Sequence, residues 1–140
     1  MTDRLTPEAR SRLMSRVRCA DTKPEIAVRR LLHSLGFRFR LHRRDLPGCP
    51  DIVLPRHRKI VFVHGCFWHS HPGCRRASRP KDHREFWDKK LAGNTERDEK
   101  SLRALEAAGW KVLIIWECET RNAAGLRERI RGFLGLQPEY

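Results

Sequence analysis

Two short, mainly apolar runs separated by only five residues constrain the fold of this chain more than any other feature. The runs lie at 51–54 and 60–63, and the segment between them is short enough for an antiparallel hairpin. Upstream, residues 37–42 alternate apolar and polar side chains with the period of two that a half-buried strand shows. Residues 46–48, Leu-Pro-Gly, then turn the chain. The sequence therefore predicts three strands in a meander.

Two helices are predicted before these strands. Thr6, followed by Pro-Glu, begins a short basic helix over residues 9–17. Thr22 begins the second helix, because Glu25 stands three residues later at the spacing of a capping box. Gly36 ends that second helix.

The second half of the chain predicts a crossover back to the sheet. Helix is expected over 83–92 and again from Asn94, a good N-cap, to Gly109. Residues 110–116 are a continuous apolar run, which indicates a strand buried on both faces, and a last helix covers 123–134. Since the fourth strand follows a crossover, it can pair in parallel with its neighbour.

Length, charge and cysteine content indicate the kind of domain. Its 140 residues fit a single domain over 1–140, an α/β fold with a central mixed β-sheet flanked by helices. Thirty Lys and Arg against 17 Asp and Glu give a net charge of +13, so nucleic acid is the leading partner class. No run approaches the roughly 18 apolar residues of a membrane span. Five cysteines with seven histidines favour a reduced compartment and a metal site, so we expect a cytoplasmic protein.

The cysteines and histidines of the irregular loop at 65–80 have the spacing of a metal site. Cys66, His71 and Cys74, with the distant Cys118, offer three thiolates and one imidazole, the set that a tetrahedral structural zinc takes. His69 competes with His71 for the fourth position, and His71 is preferred because it lies nearer Cys74. The alternative is a loop of unrelated thiols.

Asp51 opens a strand directly after a turn, where a carboxylate at the sheet edge can bridge a hard divalent cation to a phosphate. Glu25, His64 and His69 supply a further carboxylate and two imidazoles for proton transfer near pH 7. Each has a simpler interpretation: Asp51 as a turn residue, Glu25 as part of its capping box, His64 as a satisfied strand-end histidine and His69 as a solvated one.

Aromatic and basic residues indicate how DNA is held. At least one of Phe67 and Trp68 is expected to face a partner, where a wedged aromatic ring unstacks a faulty base pair, although a small core around the zinc is the alternative. Phe86 and Trp87, on the next helix, are instead expected in the core. The surface expected to hold phosphates comprises the first helix and Lys81, Arg84, Lys89, Lys90 and Arg97, with a merely solvated side chain as the alternative for each.

Four motifs together resemble one family. They are VHGCFWH at 63–69, LPGxPD at 46–51, NxERD at 94–98 and VxIxWEC at 112–118. The chain resembles the very short patch repair endonucleases from about Arg10 to Cys118. The resemblance implies a restriction-endonuclease-like fold and a nick on the 5′ side of the thymine in a T:G mismatch, the product of 5-methylcytosine deamination.

The resemblance also implies roles for individual residues. Asp51 and the backbone carbonyl of Val63 are expected to bind magnesium, with His69, His64 and Glu25 as active-site helpers and His69 as the proton-transfer group. Zinc ligands are expected at Cys66, His71, Cys74 and Cys118. The implied DNA contacts are the wedge of Phe67, Trp68 and Trp87, the opposing Met14 of the N-terminal helix within 1–20, and Lys90 and Asn94 near the mismatch. Trp87 thereby changes from a core residue to a wedge residue.

The resemblance leaves alternatives and partners to be tested. A restriction-type or junction-resolving nuclease of the same fold would cut intact or branched DNA. A catalytically silent zinc-containing DNA-binding protein is favoured by the absence of an acid and a lysine around Phe62 and His64, where the nuclease superfamily carries them. We expect a nucleoid-associated monomer that acts on mismatched duplex DNA, with mismatch-repair proteins as further partners.

Overall fold

The computed structural model describes residues 22–78 and 80–136. The predicted helix at 9–17, the basic segment 1–20 and Met14 lie outside the described residues. Within them, the order of elements is a helix, three strands, a helix, a strand and a helix, as the sequence predicts.

The described strands form one mixed sheet in the spatial order β1-β2-β3-β4. β1 (Arg40–Leu41), β2 (Ile52–Leu54) and β3 (Lys59–His64) pair antiparallel in sequence, so the predicted meander is confirmed. β4 (Lys111–Trp116) pairs with β3 in parallel over six residues, which confirms the crossover.

β1 is shorter than the alternating pattern at 37–42 predicts. Phe37 and Phe39 are half-buried and pack against the core, but only Arg40 and Leu41 pair with β2. The strand ends because His42 has a positive φ of 47°, a left-handed conformation that does not continue a ladder.

α1 (Lys23–Ser34) begins and ends where the sequence predicts. The Thr22 side chain accepts a hydrogen bond from the Glu25 backbone N–H at 3.4 Å, and Gly36 follows the helix with φ 86°. α3 (Ala123–Leu134) also has its predicted bounds, with the Asn122 side chain accepting from the backbone N–H of Gly125.

α2 (Arg84–Ala107) is one continuous helix, so the predicted interruption at Asn94 is wrong. Asn94 does not cap a new helix. Its amide donates to the backbone carbonyl of Trp68 at 3.0 Å and its oxygen accepts from Arg97. These contacts outside the helix backbone explain how an asparagine beside Gly93 is tolerated in the middle of α2.

The helices bury the sheet from both sides. α1 and α3 pack on one face, in a cluster of buried residues that comprises Val28, Leu32, Ile52, Leu54, Val61, Ile115, Leu126 and Ile130. α2 covers the other face, where Leu105 meets Val53, Ile60 and Phe62. β4 was expected to be buried on both faces, but only Ile115 is fully buried because β4 lies at the sheet edge.

No helix among residues 22–78 and 80–136 is both long and apolar enough to span a membrane.

Candidate active site and metal centre

The turn before β2 holds Asp51 against the next strand. Gly48 has φ 77°, and a Cβ added there would lie 2.8 Å from the Cβ of Ser101 on α2, so only glycine fits this close approach. Asp51 follows, and its Oδ2 accepts a hydrogen bond of 2.7 Å from the backbone N–H of Val63 on β3. The carboxylate of Asp51 is therefore fixed beside the backbone of Val63.

A second carboxylate, that of Glu25, lies beside Asp51. Glu25 is in the first turn of α1, is 2 % exposed, and accepts a hydrogen bond of 2.9 Å from Arg29. The pKa of Asp51 is raised to about 7, mainly by burial; the Val63 N–H opposes this rise and the negative charge of Glu25 contributes to it. Since its carboxylate faces Arg29 and Asp51, Glu25 does more than cap its helix.

His42 completes this group, and the sequence analysis did not identify it. Glu25, His42 and Asp51 each offer one ligand atom, and the three atoms lie within 4.8 Å of one another. The Nε2 of His42 is 3.4 Å from Glu25 Oε2 and 3.0 Å from an Arg29 nitrogen. No pattern in the sequence singles out His42, because β1 and α1 meet only in the folded chain. We call Glu25, His42 and Asp51 the carboxylate site.

His69 and His64 lie together in a second group, with an acidic residue that the sequence analysis quoted but did not assign. The Nδ1 of His69 lies 2.5 Å from Asp98 Oδ2 on α2, and the rings of His64 and His69 stack with centroids 3.8 Å apart. His69 also lowers the pKa of Asp51, so the two groups share one electrostatic environment. We call His64, His69 and Asp98 the imidazole site.

His64 is buried beneath His69. The pKa of His64 is lowered to about 4, mainly by burial; the electrostatic effect of His69 contributes to the decrease and Asp98 opposes it. At neutral pH His64 is therefore uncharged. The expectation of a strand-end histidine is correct for its position, since His64 is the last residue of β3.

The ends of β3 and β4 bring the four predicted zinc ligands together. Cys66, His71, Cys74 and Cys118 each offer one ligand atom, all within 4.8 Å of one another. The parallel pairing of His64 with Trp116 explains this, because Cys66 and Cys118 each follow two residues later. His71 Nδ1 lies 3.5 Å from the Cys118 sulfur. Geometry thus favours His71 over His69, which belongs to the imidazole site.

Four aromatic rings form a cluster between the loop and the start of α2. Phe67 and Trp68 are half-buried, and their ring centroids lie 5.3 and 6.0 Å from that of Trp87. Trp87 is 7 % exposed, whereas Phe86 is 48 % exposed. The prediction that Phe86 lies in the core is therefore wrong. Lys90 is exposed on α2, one helical turn after Phe86.

Comparison with known proteins gives one consistent result. The family described as DNA mismatch endonuclease Vsr matches residues 2–76. The type II nicking enzyme V.XorIIP of Xanthomonas oryzae pv. oryzae is 53 % identical over 134 residues, covering 96 % of this chain and 98 % of the relative. The type II nicking enzyme V.NmeAIP of Neisseria meningitidis serogroup A is 44 % identical over 130 residues, covering 93 % of this chain and 92 % of the relative. The DNA mismatch endonuclease Vsr of Escherichia coli K12 is 38 % identical, over 91 % of this chain and 81 % of the relative.

Proposed function

Since the chain belongs to the Vsr family of DNA mismatch endonucleases, we propose that it nicks one strand 5′ of the thymine in a T:G mismatch. The mismatch is the one left by deamination of 5-methylcytosine, and the nick would initiate very short patch repair. Family membership establishes a DNA endonuclease, a hydrolase that acts on mismatched DNA. The substrate base, the cation and the mechanism are what we propose beyond it.

The observation that carries the mechanism is a pair of adjacent carboxylates, those of buried Glu25 and half-buried Asp51, near the His64–His69 pair. A hard divalent cation would stabilise two acidic side chains that lie side by side. Asp51 and the Val63 carbonyl would hold Mg²⁺, with Glu25 beside them. When bound, Mg²⁺ supplies Lewis-acid stabilisation of the phosphate and lowers the pKa of a coordinated water.

The imidazole site would supply the proton transfer. Asp98 orients the His69 ring by its contact with Nδ1, which leaves Nε2 to accept a proton from the attacking water. His64 stacks on the same ring and, being buried and neutral, restricts its orientation without adding charge. Three separate elements thus converge on His69: the end of β3, the loop and α2.

A structural zinc would tie the strand ends to the loop. Cys66, His71, Cys74 and Cys118 are the three-thiolate, one-imidazole set of closed zinc sites, with no position left for catalysis. The zinc would hold the loop on both sides of residues 67–70, through Cys66 before them and His71 after them. Phe67, Trp68 and His69 lie between the ligands Cys66 and His71 in the sequence. The zinc would therefore position His69 for proton transfer and the two rings for DNA contact.

Mismatch recognition would use the aromatic cluster. Phe67, Trp68 and Trp87 would enter the major groove as a wedge, with Met14 inserting from the opposite side, and Lys90 and Asn94 would contact the mismatched pair. The 7 % exposure of Trp87 means that the wedge would require these rings to separate or α2 to shift on binding DNA. The half-exposed Phe86, at the cluster's edge, is an additional contact candidate.

The remaining parts of the proposal concern architecture and cellular context. A meander followed by a crossover to a parallel fourth strand supports a restriction-endonuclease-like fold. We further propose that the protein acts as a monomer in the cytoplasm, associated with the nucleoid, and that mismatch-repair proteins are its partners. The relatives named as nicking enzymes support single-strand cleavage over restriction-type double-strand cleavage.

Strand-labelled cleavage tests the proposal. Duplexes carrying either a T:G mismatch or a C:G pair at one position, with each strand labelled separately, are incubated with Mg²⁺ or with chelator. The proposal expects a Mg²⁺-dependent nick 5′ of the mispaired thymine and an intact opposite strand. Equal cleavage of the C:G duplex would indicate a restriction-type nuclease, and cleavage of branched duplexes alone a junction resolvase. Binding without cleavage of any duplex would indicate a silent DNA-binding protein.

A further inference from the structure

The carboxylate site contains a nitrogen ligand that the proposed magnesium site does not use. His42 lies at the end of β1, and its backbone N–H donates to the carbonyl of Asp51 at 3.2 Å. Its φ of 47° is a conformation that non-glycine residues rarely adopt. Strain of this kind persists where the surrounding structure fixes it, and it is concentrated at functional sites. The strained backbone of His42 places its ring against Glu25.

The tautomer of His42 is set by Arg29. A guanidinium has donors only, so the contact of 3.0 Å from Arg29 requires that His42 Nε2 accept. The proton of a neutral ring then resides on Nδ1, and Nε2, which accepts from Arg29, lies 3.4 Å from Glu25 Oε2. The same Arg29 nitrogen donates to Glu25 Oε2 at 2.9 Å. The Arg29 guanidinium therefore contacts both Glu25 Oε2 and His42 Nε2, the two atoms between which a metal ion would bind.

The spacing of these atoms fits a six-coordinate divalent ion. Ligands about 2.1 Å from such an ion lie roughly 3 Å apart when adjacent and about 4 Å apart when opposite. The separation of His42 Nε2 and Glu25 Oε2 is 3.4 Å, and the Asp51 ligand atom lies within 4.8 Å of both. The His42 side chain is 29 % exposed, which leaves an approach for a hydrated ion.

We propose that His42 is a protein ligand of the divalent cation held by Asp51 and Glu25, with Arg29 withdrawing from His42 when the cation binds. The inference rests on the proposed function, which supplies the cation site. An imidazole nitrogen suits first-row transition ions better than Mg²⁺, which prefers oxygen. His42 therefore makes the site more selective for Mn²⁺ over Mg²⁺ than an all-oxygen site.

Binding of Mn²⁺ alone to the zinc-loaded full chain tests this without DNA or turnover. Free Mn²⁺ is counted by its electron paramagnetic resonance signal, Mg²⁺ affinity is obtained by competition, and electron spin echo envelope modulation reports ¹⁴N bound to Mn²⁺. In the native chain we expect ¹⁴N modulation from an imidazole. In His42→Gln we expect that modulation to be lost, with Mn²⁺ affinity reduced about tenfold or more and Mg²⁺ affinity reduced less.

Matched variants separate the possible failures. His33→Gln removes an exposed histidine from the last turn of α1 and should change neither affinity nor modulation. His69→Gln should keep the ¹⁴N signal, so its loss there would assign the signal to His69 and overturn the inference. Absence of ¹⁴N modulation in the native chain would also overturn it, and this result needs no variant to fold.

Asp51→Asn distinguishes the inference from its premise. Weak Mn²⁺ binding by Asp51→Asn combined with unchanged binding by His42→Gln would overturn the role of His42 alone. Undiminished Mn²⁺ binding by Asp51→Asn would overturn the cation site of the proposed function and the inference together.

Discussion

Asp51 is a carboxylic acid whose environment makes its negative charge costly. It is largely buried, it lies beside Glu25, and its main compensation is the N–H of Val63. Two adjacent carboxylates away from water are an unfavourable ground state for an isolated chain. Such an arrangement is retained where a bound cation or a substrate uses it. If Asp51 serves catalysis as proposed, it does so at the expense of the stability of the fold that holds it.

Replacing Asp51 with asparagine should raise stability and abolish nicking. The asparagine oxygen can still accept from Val63, while the costly charge is removed, so unfolding at pH 8 without Mg²⁺ should require about 1 to 4 kcal/mol more. Between about pH 4 and pH 7 the folded native chain keeps the Asp51 proton and the unfolded chain loses it. The stability of the native chain relative to Asp51→Asn should therefore fall as pH rises through this range.

Denaturant unfolding of both zinc-loaded proteins in Mg²⁺-free buffer, from pH 4 to pH 8, measures this difference. A difference that does not vary with pH would contradict the raised pKa of Asp51. Cleavage of T:G duplexes by Asp51→Asn at the native rate would contradict its catalytic role.

Asp98 should act through His69 rather than on DNA. Asp98→Asn removes the charge that faces His69 Nδ1 and allows the ring to adopt the wrong tautomer. We expect nicking at saturating DNA and Mg²⁺ to slow by about 10² to 10⁴. Affinity for the same duplex, measured by fluorescence anisotropy in chelator, should be unchanged. A large loss of affinity with normal turnover would indicate that Asp98 contacts DNA.

At the scale of elements, α2 and the loop before it depend on each other. α2 carries Trp87 to the aromatic cluster, Asn94 to the backbone of Trp68, and Asp98 to His69. The same helix packs Leu105 onto the sheet. Because these contacts lie along one continuous helix, the position of the loop is fixed relative to the core. A break at Asn94 would uncouple the position of Asp98, and with it the His69–Asp98 contact, from the aromatic cluster.

Gly93→Ala tests the continuity of α2. Gly93 has helical backbone, and a Cβ there would lie 3.6 Å from the Arg97 guanidinium, an ordinary contact with a flexible side chain. Alanine should therefore increase stability by about 0.5 to 1 kcal/mol, the difference in helix propensity. Thermal unfolding of the zinc-loaded chain measures this. Gly48→Ala is the contrasting variant, because its Cβ would clash with Ser101, and it should destabilise.

At the scale of the whole molecule, the four-ligand cluster brings together the segments that follow β3 and β4. Among the described strands β4 pairs with β3 alone, and Cys118 lies with ligand atoms of the loop that follows β3. Burial raises the pKa of the Cys66 thiol to about 12, so this thiol is protonated at pH 7 without a metal. Metal binding would displace the Cys66 proton and couple to folding.

Cys118→Ala should release zinc and destabilise the whole domain. With three ligands left, the loop loses its connection to β4, and we expect a lower melting temperature and loss of the single zinc per chain measured by atomic emission. Cys49→Ala removes an exposed thiol outside the cluster and is the matched control. Zinc content equal in Cys118→Ala and Cys49→Ala would argue against the proposed ligand set.

The sequence by itself determined what is local or periodic. Thr22 and Gly36 mark the ends of α1, the two apolar runs predict the hairpin, and the spacing of Cys66, His71 and Cys74 predicts that these side chains lie together. The structure confirms these three arrangements, because a cap, a turn or a short ligand spacing depends on residues close in the chain. The zinc itself stays a prediction. The motif at 63–69 is likewise a contiguous run of residues, so the family resemblance can be read from the sequence.

Only the tertiary structure decided the rest. It made α2 continuous, because Asn94 gained a partner in the loop, and it exposed Phe86 while burying Trp87. It brought Asp98 to His69 and His42 to Glu25, pairs 29 and 17 residues apart. Such contacts follow from the packing of α1, β1 and α2 around one sheet, and no local pattern encodes a distance between elements that meet only after folding.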